Sequence, residues 1–356
     1  MSLIAESAVR GISKRNASRA LAVAVALLMV GLAGPSAGAA FGPGAAEDDG
    51  ILVVAVSDTC GEHFPMETSN RNHYDKVADL IAASGTEHYI AVGDLQHDVG
   101  ILEHYLTYYD SEFGDLMDIT YPVPGNHDYY FDTLLYGTLL NCPWASSNGS
   151  GYLAYFGDRL AEIANNDYTM RYSFYSYDVG EEGNTWHVIA LNSHIAVNYD
   201  HTEVGSPAWL QYEWLEQDLA DHPEDEYPGT IVYFHHLMYN WEIGYDLVDV
   251  RLAYLWDLLD ANGVDIALSG HSHMYQRWAP QDAYGNYAED GIRQFTVGAG
   301  GYYLNDFSKE PQPANFEYGQ NEEFGVLKLT LFGTSYAFEF VSISGEVLDS
   351  GEVPLR

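Results

Sequence analysis

Hydrophobic residues gather in short runs along this chain, and the polar residues that end those runs recur in type. Ile51 to Val56 is continuously apolar and of strand length, which fits a strand buried on both faces. Tyr74 to Ala83 has the spacing of a helix, and Tyr89 to Val92 and Ile119 to Val123 are strand-like again. Residues 129 to 170 are rich in Tyr, Asn, Gly and Ser without a clean period, so they read as an insertion rimming the strand ends. Tyr172 to Asp178 alternates as a half-exposed strand does, and Trp186 to Leu191 reads as a buried one. Ser206 then Pro207 is a good helix opening, followed by the apolar stripe Trp209, Leu210, Trp214, Leu215 and Leu219. Ile231 to Phe234 is a strand, Val250 to Leu259 a helix stopped near Gly263, and Val264 to Leu268 a strand. Gln294 to Val297, Gly325 to Leu331, Tyr336 to Ser342 and Glu346 to Asp349 predict further strands, enough for a second sheet. The expectation is an α/β fold, a four-layer α/β/β/α sandwich of two mixed sheets, with no internal repeat.

Five of these runs end in metal-binding residue types: Asp58, Gly93-Asp94, Gly125-Asn126-His127-Asp128, His235-His236 and Gly270-His271-Ser272-His273. The carboxyl ends of parallel strands are where an open α/β sheet holds its ligand. Carboxylate, imidazole and amide donors suit hard or borderline cations. Alone, each segment has a plainer explanation, because an Asp after a strand often makes a turn and a buried His is often a satisfied core residue. Five in the same position on successive strands point to a metal site.

Charge narrows the function further. Lys plus Arg number 14 against 52 Asp plus Glu, a net charge of -38, so binding of nucleic acid through a basic patch is excluded. The first residues carry Arg10, Lys14, Arg15 and Arg19, then an apolar run from Ala20 to Gly34, then the small-residue site Ala37-Gly38-Ala39. This is the pattern of a cleavable signal peptide over 1–39, and the run is shorter than the roughly 20 residues a membrane span needs. Residues 40–50 follow as a small, acidic linker, and 51–356 form the folded domain. Cleavage would leave a net charge of about -41 with three lysines, Lys76, Lys309 and Lys328. Such a surface suits a salt-rich medium, where the Debye length shrinks to about 3 Å at 1 M. Export would also permit a disulfide between Cys60 and Cys142, and Asn148-Gly149-Ser150 is a glycosylation sequon.

From about Ile51 to the C-terminus the chain resembles the calcineurin-like metallophosphoesterases, most closely their purple-acid-phosphatase-like branch of secreted bacterial and archaeal type. The resemblance rests on Asp58, Gly93-Asp94-Leu95-Gln96-His97, Gly125-Asn126-His127-Asp128, Phe234-His235-His236 and Gly270-His271-Ser272-His273, with Tyr275 and Arg277 following. It implies a two-metal phosphoester hydrolase using Fe, Zn or Mn, in which a metal-bridging hydroxide attacks phosphorus in line. By motif, Asp58 and His273 would hold one metal, Asn126, His235 and His271 the other, and Asp94 would bridge them. His127 would face the substrate, oriented by Asp128, and His236 would contact substrate or support a ligand.

Two departures stand out. Coloured members have Tyr where this chain has His97, and the wider superfamily has His where this chain has Cys60, so His97 is expected as the remaining ligand and Cys60 is the alternative. His63, His194 and His201 are within reach of the site as alternatives but are expected on loops or the surface, and Tyr275 and Arg277 are expected in structural roles, with phosphate binding by Arg277 the alternative. The implied partner is a small phosphoester. A phosphodiesterase or nucleotide hydrolase on the same site, or a catalytically silent metal-binding surface protein, are the competing readings.

Overall fold

A computed structural model describes residues 50–61, 72–97, 99–130, 149–181 and 183–355. The expected signal peptide, nearly all of the linker, His63, Cys142 and Asn148 lie outside the described residues. Thirteen strands are described: β1 (Ile51–Val56), β2 (His88–Val92), β3 (Thr120–Val123), β4 (Tyr175–Glu181), β5 (Asn184–Ala190), β6 (Thr230–Tyr233) and β7 (Ile266–Ser269), then β8 (Tyr275–Trp278), β9 (Arg293–Val297), β10 (Phe316–Gln320), β11 (Gly325–Leu331), β12 (Ser335–Ser342) and β13 (Val347–Pro354). They form two mixed sheets, in the orders β13-β12-β11-β1-β2-β3 and β10-β8-β9-β7-β6-β5-β4. β1, β2 and β3 are mutually parallel, as are β5, β6, β7 and β9.

Side-chain alternation along a strand explains the layering. On β6, Ile231 and Tyr233 enter a large core shared with the first sheet, which also takes Val53 to Val56 of β1 and Leu327 and Leu329 of β11. The intervening Val232, with Phe234 beyond the strand, faces a second core under α4 (Pro207–Asp221) and α5 (Ala253–Ala261), where Leu215, Leu219, Leu255, Trp256 and Leu259 are buried. On the first sheet, α1 (Tyr74–Ser84) buries Val77 and Ile81, and α2 (Ser150–Ile163) buries Tyr152, Phe156 and Leu160. Both sheets are thus apolar on both faces, which accounts for the continuous hydrophobic runs. Ser206 caps α4 by accepting the Trp209 N–H at 3.0 Å.

The differences from the sequence reading cluster in aromatic segments. Residues 129–170 contain α2, whose buried face is spaced four residues apart but is built of Tyr, Phe and Leu amid Gly and Ala. The strand expected from Tyr172 starts instead at Tyr175, because Thr169–Tyr172 is a helical turn closed by Ser173 with φ 53°. Helical turns between Leu102 and Ile119, and strands β8 and β10, were not expected. No helix among the described residues is long and apolar enough to cross a membrane.

Candidate metal centre

The carboxyl ends of the parallel strands deliver the candidate metal-binding and catalytic side chains. Asp58 follows β1, Asp94 and His97 follow β2, Asn126, His127 and Asp128 follow β3, His235 and His236 follow β6, and His271 and His273 follow β7. Three overlapping sets of donor atoms each lie within 4.8 Å: Asp58, His97 and His273; Asp94, His97 and His127; and Asp94, His235 and His271. Asp94 Oδ2 lies 3.4 Å from His97 Nε2 and 3.1 Å from His235 Nε2, so one carboxylate oxygen faces both halves of the site. Asp58 Oδ1 lies 3.2 Å from His273 Nε2 and 3.7 Å from His97 Nε2.

Each ligand is held by one atom and presents another. Asp58 Oδ2 accepts the His271 N–H at 2.9 Å and Asp94 Oδ1 accepts the His127 N–H at 2.8 Å, which leaves the opposite oxygens facing inward. His235 Nδ1 lies 3.0 Å from the Val92 carbonyl, and His273 Nδ1 lies 3.2 Å from the Tyr303 carbonyl. A ring that donates through Nδ1 to a carbonyl offers a lone pair at Nε2, the tautomer a metal requires. Asp58 Oδ1, Asp94 Oδ2, His97 Nε2, Asn126 Oδ1 and His235 Nε2 are all buried, and the polar atoms they face belong to the same cluster. Each such atom costs ~1–3 kcal/mol when left unsatisfied. Two cations accepting these lone pairs would remove that penalty, so the residues fit a dinuclear centre.

The backbone is bent to make this possible. Asp58, Asp94 and His271 have φ of 60°, 47° and 66°, three of the five non-glycine residues with positive φ among those described. Strain of this kind clusters at functional sites. Gly125 passes so close to Asp94 that a Cβ there would lie 2.2 Å from Asp94 Oδ1, hence its glycine.

Electrostatics follow from burial and proximity. Burial by itself would lower the His235 pKa, but the Asp94 carboxylate outweighs it and lifts His235 to about 9. His273 is likewise raised by Asp58 against its burial. Burial, with His127 and His273 alongside, takes His97 down to about 4, and burial beside His235 takes His271 to about 3. Despite burial, Asp58 and Asp94 stay ionised because the imidazoles around them hold their pKa values below the usual range.

The remaining sequence expectations fall out as follows. Asp128 is buried and accepts from the Leu95, Gln96 and Gly125 N–H groups and from the Tyr105 hydroxyl, so it ties the 94–96 loop to the 125–128 loop. Burial and then the neighbouring Asp94 push its pKa up to about 6. The His127 ring is half-buried, 4.5 Å from the His97 ring. His236 is buried 4.8 Å from the His271 ring, with its Nδ1 2.9 Å from Ser193 Oγ. Cys60 departs from the alternative raised for it: its thiol points into the core, 3.9 Å from the Tyr108 carbonyl, and belongs to none of the donor sets. Tyr275 and Arg277 of β8 both bind Asp349 of β13, which ties the second sheet to the first, and Arg277 also binds Glu317 of the neighbouring β10. His201 stacks on Tyr254 at 3.8 Å, and His194 on Tyr129 at 4.0 Å.

Some of the supporting residues were not among the expected site residues. Asn192 donates to the Tyr129 hydroxyl at 2.7 Å and caps the turn carrying Ser193. Glu242 is buried beside Asn305 with Oε2 unpartnered. An isolated Asn or Glu in an acidic chain has no pattern that marks it.

A family model described as calcineurin-like phosphoesterase matches residues 51–275. Purple acid phosphatase 18 of Arabidopsis thaliana is 30% identical over 167 residues, covering 46% of this chain and 35% of that protein. An acid phosphatase of Aspergillus ficuum is 41% identical over 78 residues, covering 22% and 12%. The match thus spans about a third or less of these relatives' length. Among solved structures, purple acid phosphatase PPD1 from yellow lupin (Lupinus luteus) superposes with TM-score 0.64 at 20% identity, covering 86% of this chain and 54% of that one. GAP50, the anchor in the inner membrane complex of Plasmodium, superposes with TM-score 0.58 at 15% identity, covering 86% and 89%.

Proposed function

We propose that this chain, which belongs to the calcineurin-like phosphoesterase family, hydrolyses small phosphate esters at a dinuclear metal centre. The observation that carries the reading is the convergence of five buried donor atoms, from Asp58, Asp94, His97, Asn126 and His235, that face one another and the neighbouring imidazoles. Asp58, His97 and His273 would hold one ion, Asn126, His235 and His271 the other, with Asp94 between them. When bound, such a pair supplies Lewis acidity to the phosphoryl oxygens and lowers the pKa of a water at neutral pH.

The chain's own residues would do the rest. Asp128 keeps the two ligand loops in register, and the Asp94 carboxylate fixes the His127 backbone so that its ring borders the site. His127 would donate a hydrogen bond to the transferring phosphoryl group or a proton to the leaving oxygen. His236, steadied by Ser193, would bind a phosphoryl oxygen. The mixed oxygen and nitrogen donors suit Fe, Zn or Mn.

A silent scaffold is the second reading, since GAP50, the anchor in the inner membrane complex of Plasmodium, shares the fold. The donor set is what favours catalysis over it. The test is hydrolysis of p-nitrophenyl phosphate and its bis-ester by the metal-loaded chain beside Asn126→Ala, with metal content measured on both. Metal-dependent turnover that the variant loses supports the reading and ranks monoester against diester. A folded chain with two ions bound and no turnover refutes it.

The N-terminal pattern further supports export with cleavage near Ala39, and the acidity supports a salt-rich setting. N-terminal sequencing of the protein from its own host tests the first: a start at Met1 or Ser2 would overturn it.

A further inference from the structure

Beyond His235 and His236 the chain turns at once into a hairpin over 238–249, in which Tyr239 and Val248 form an antiparallel bridge. The Asn240 N–H donates to the Leu247 carbonyl at 3.0 Å and the Asp249 N–H to the Met238 carbonyl at 2.9 Å. The tip is fastened as well, because the Ile243 N–H donates to the Asp306 carbonyl at 3.1 Å and the Asn305 amide to Glu242 at 2.6 Å. Gly244 turns the tip with φ 88°. Next to it, the Tyr245 ring meets the His271 ring edge-on, with centroids 5.6 Å apart and planes at 81°. Held at base and tip, the hairpin is preformed.

Its surface departs from the rest of an acidic chain. Four of the twelve exposed large hydrophobic side chains among the described residues, Ile243, Tyr245, Leu247 and Val250, fall within these eight positions. Exposed apolar groups gathered in one place mark a binding surface. A cavity of about 260 Å³ lies here, and Leu237, Tyr245, Val248 and Val250 share its wall with His271. His271 is also a member of a donor set of the candidate centre, so the cavity and the centre have a wall in common. Asp249 and Arg251, which line the cavity too, are taken up by each other at 2.8 and 2.6 Å. That leaves the exposed Asp246 as the charged lining residue with no ionic partner among the described residues. A lone negative charge there repels a second anionic group, whereas the aliphatic and aromatic faces favour an apolar one.

We propose that this cavity is a leaving-group subsite that selects phosphate esters of apolar, uncharged alcohols, with Tyr245 as the specificity-determining residue. The inference rests on the hydrolytic reading above and names its substrate class. An ester whose phosphoryl group sits at the centre beside His271 lays its alcohol portion against the Tyr245 ring. In the reaction, phosphorus gains a bond to a water oxygen and loses its bond to the ester oxygen. The ester oxygen keeps the electron pair, takes one proton of the water and leaves as the alcohol, while the other proton stays with inorganic phosphate.

The experiment compares kcat/KM for benzyl phosphate and methyl phosphate, esters of alcohols of similar acidity, in the metal-loaded parent chain, Tyr245→Ala and Tyr245→Phe, with metal content measured on each. The benzyl-to-methyl ratio is expected to fall about tenfold in Tyr245→Ala, the order of one aromatic contact with the area it buries, and to hold in Tyr245→Phe. A tyrosine that only supports His271 would cost both esters alike, so an unchanged ratio in Tyr245→Ala overturns the subsite. A ratio that falls equally in Tyr245→Phe assigns the effect to the hydroxyl and overturns it too. Should the parent chain hydrolyse neither ester, the hydrolytic reading fails separately, and calorimetric binding of benzylphosphonate against methylphosphonate decides the subsite. A preference for benzylphosphonate that drops about tenfold in Tyr245→Ala upholds it, and an equal preference in parent and variant overturns it.

Discussion

Far from the metal centre, His187→Gln probes how the second sheet is fastened to its covering helix. His187 is buried on β5 with Nδ1 2.8 Å from Asp178 Oδ1 on β4 and Nε2 3.0 Å from Asp218 Oδ2 on α4. Both ring nitrogens face carboxylates, so both carry protons and the ring is an imidazolium. Burial opposes that charge, but the two carboxylates outweigh it and the pKa of His187 is raised. Glutamine keeps an amide donor and loses the charge. Removing one partner of a buried ion pair costs ~3–5 kcal/mol. Asp178 is 42% exposed and regains water, and Asp218 keeps the Ser176 hydroxyl at 2.5 Å, so the loss here should be about 2 kcal/mol.

The pH dependence gives the test its sign. A raised His pKa contributes stability that is complete below the unfolded value near 6.5 and disappears as pH climbs through the folded value. Asp178 is held below its ordinary range by His187 against partial burial, so its share is present above about pH 4 and is lost as pH falls further. Thermal unfolding followed by circular dichroism at fixed salt should show Tm lower by about 5 °C in the variant between about pH 4.5 and 6.5, with the gap closing toward pH 9. A gap that is constant or widens with rising pH refutes the imidazolium clamp.

Other outcomes follow from the metal loops. Gly125→Ala puts a methyl group 2.2 Å from Asp94 Oδ1, so metal content by mass spectrometry should fall below two ions per chain and turnover by about 10²-fold while the fold survives. With His97 where coloured relatives have Tyr, the iron-loaded chain should show no phenolate-to-iron absorption in the visible, and such a band would mean that a tyrosine such as the stacked Tyr302 has reached the metal. Raising salt from about 0.1 to 1 M shortens the Debye length from about 10 to 3 Å, so hydrolysis of p-nitrophenyl phosphate should accelerate. A steady fall in a folded sample would contradict the role given to the chain's net charge of -38.

Most of the frame and the donor residues were legible because both obey strong rules. Strands buried on two faces leave apolar runs, as in β1 and β6, and a ligand at a strand end interrupts the run with a glycine turn and a polar side chain. The unexpected elements broke those signals. In α2 the core face is Tyr152, Phe156 and Leu160, and tyrosine is also what an exposed rim would carry, so its period was masked. β8 begins two residues after His273, too close to a ligand motif to stand out as a strand, and β10 is half exposed, with only Phe316 fully buried. Asp128 illustrates a subtler limit. Its residue type suggested a partner for the adjacent imidazole, and the fold adds a role that spacing does not show: its carboxylate accepts three backbone N–H groups and the Tyr105 hydroxyl. Spacing shows that a carboxylate is near, and only the fold shows which hydrogen it accepts.

That division reaches into the centre itself. The side chains that would meet the metals could be named from sequence, but their availability depends on backbone groups that carry no sequence signature: the His271 and His127 N–H groups on the outer oxygens of Asp58 and Asp94, and the Val92 and Tyr303 carbonyls behind His235 and His273. Asp58 and His271 are each forced into left-handed backbone, and each supplies what the other's loop needs, one an oxygen and the other an N–H. A substitution at either would therefore disturb both halves of the candidate centre at once. The strain persists because the strand on one side and the ligand pair on the other leave these residues no relaxed alternative. The candidate centre is better described as five strand-end loops tied to one another than as seven independent side chains.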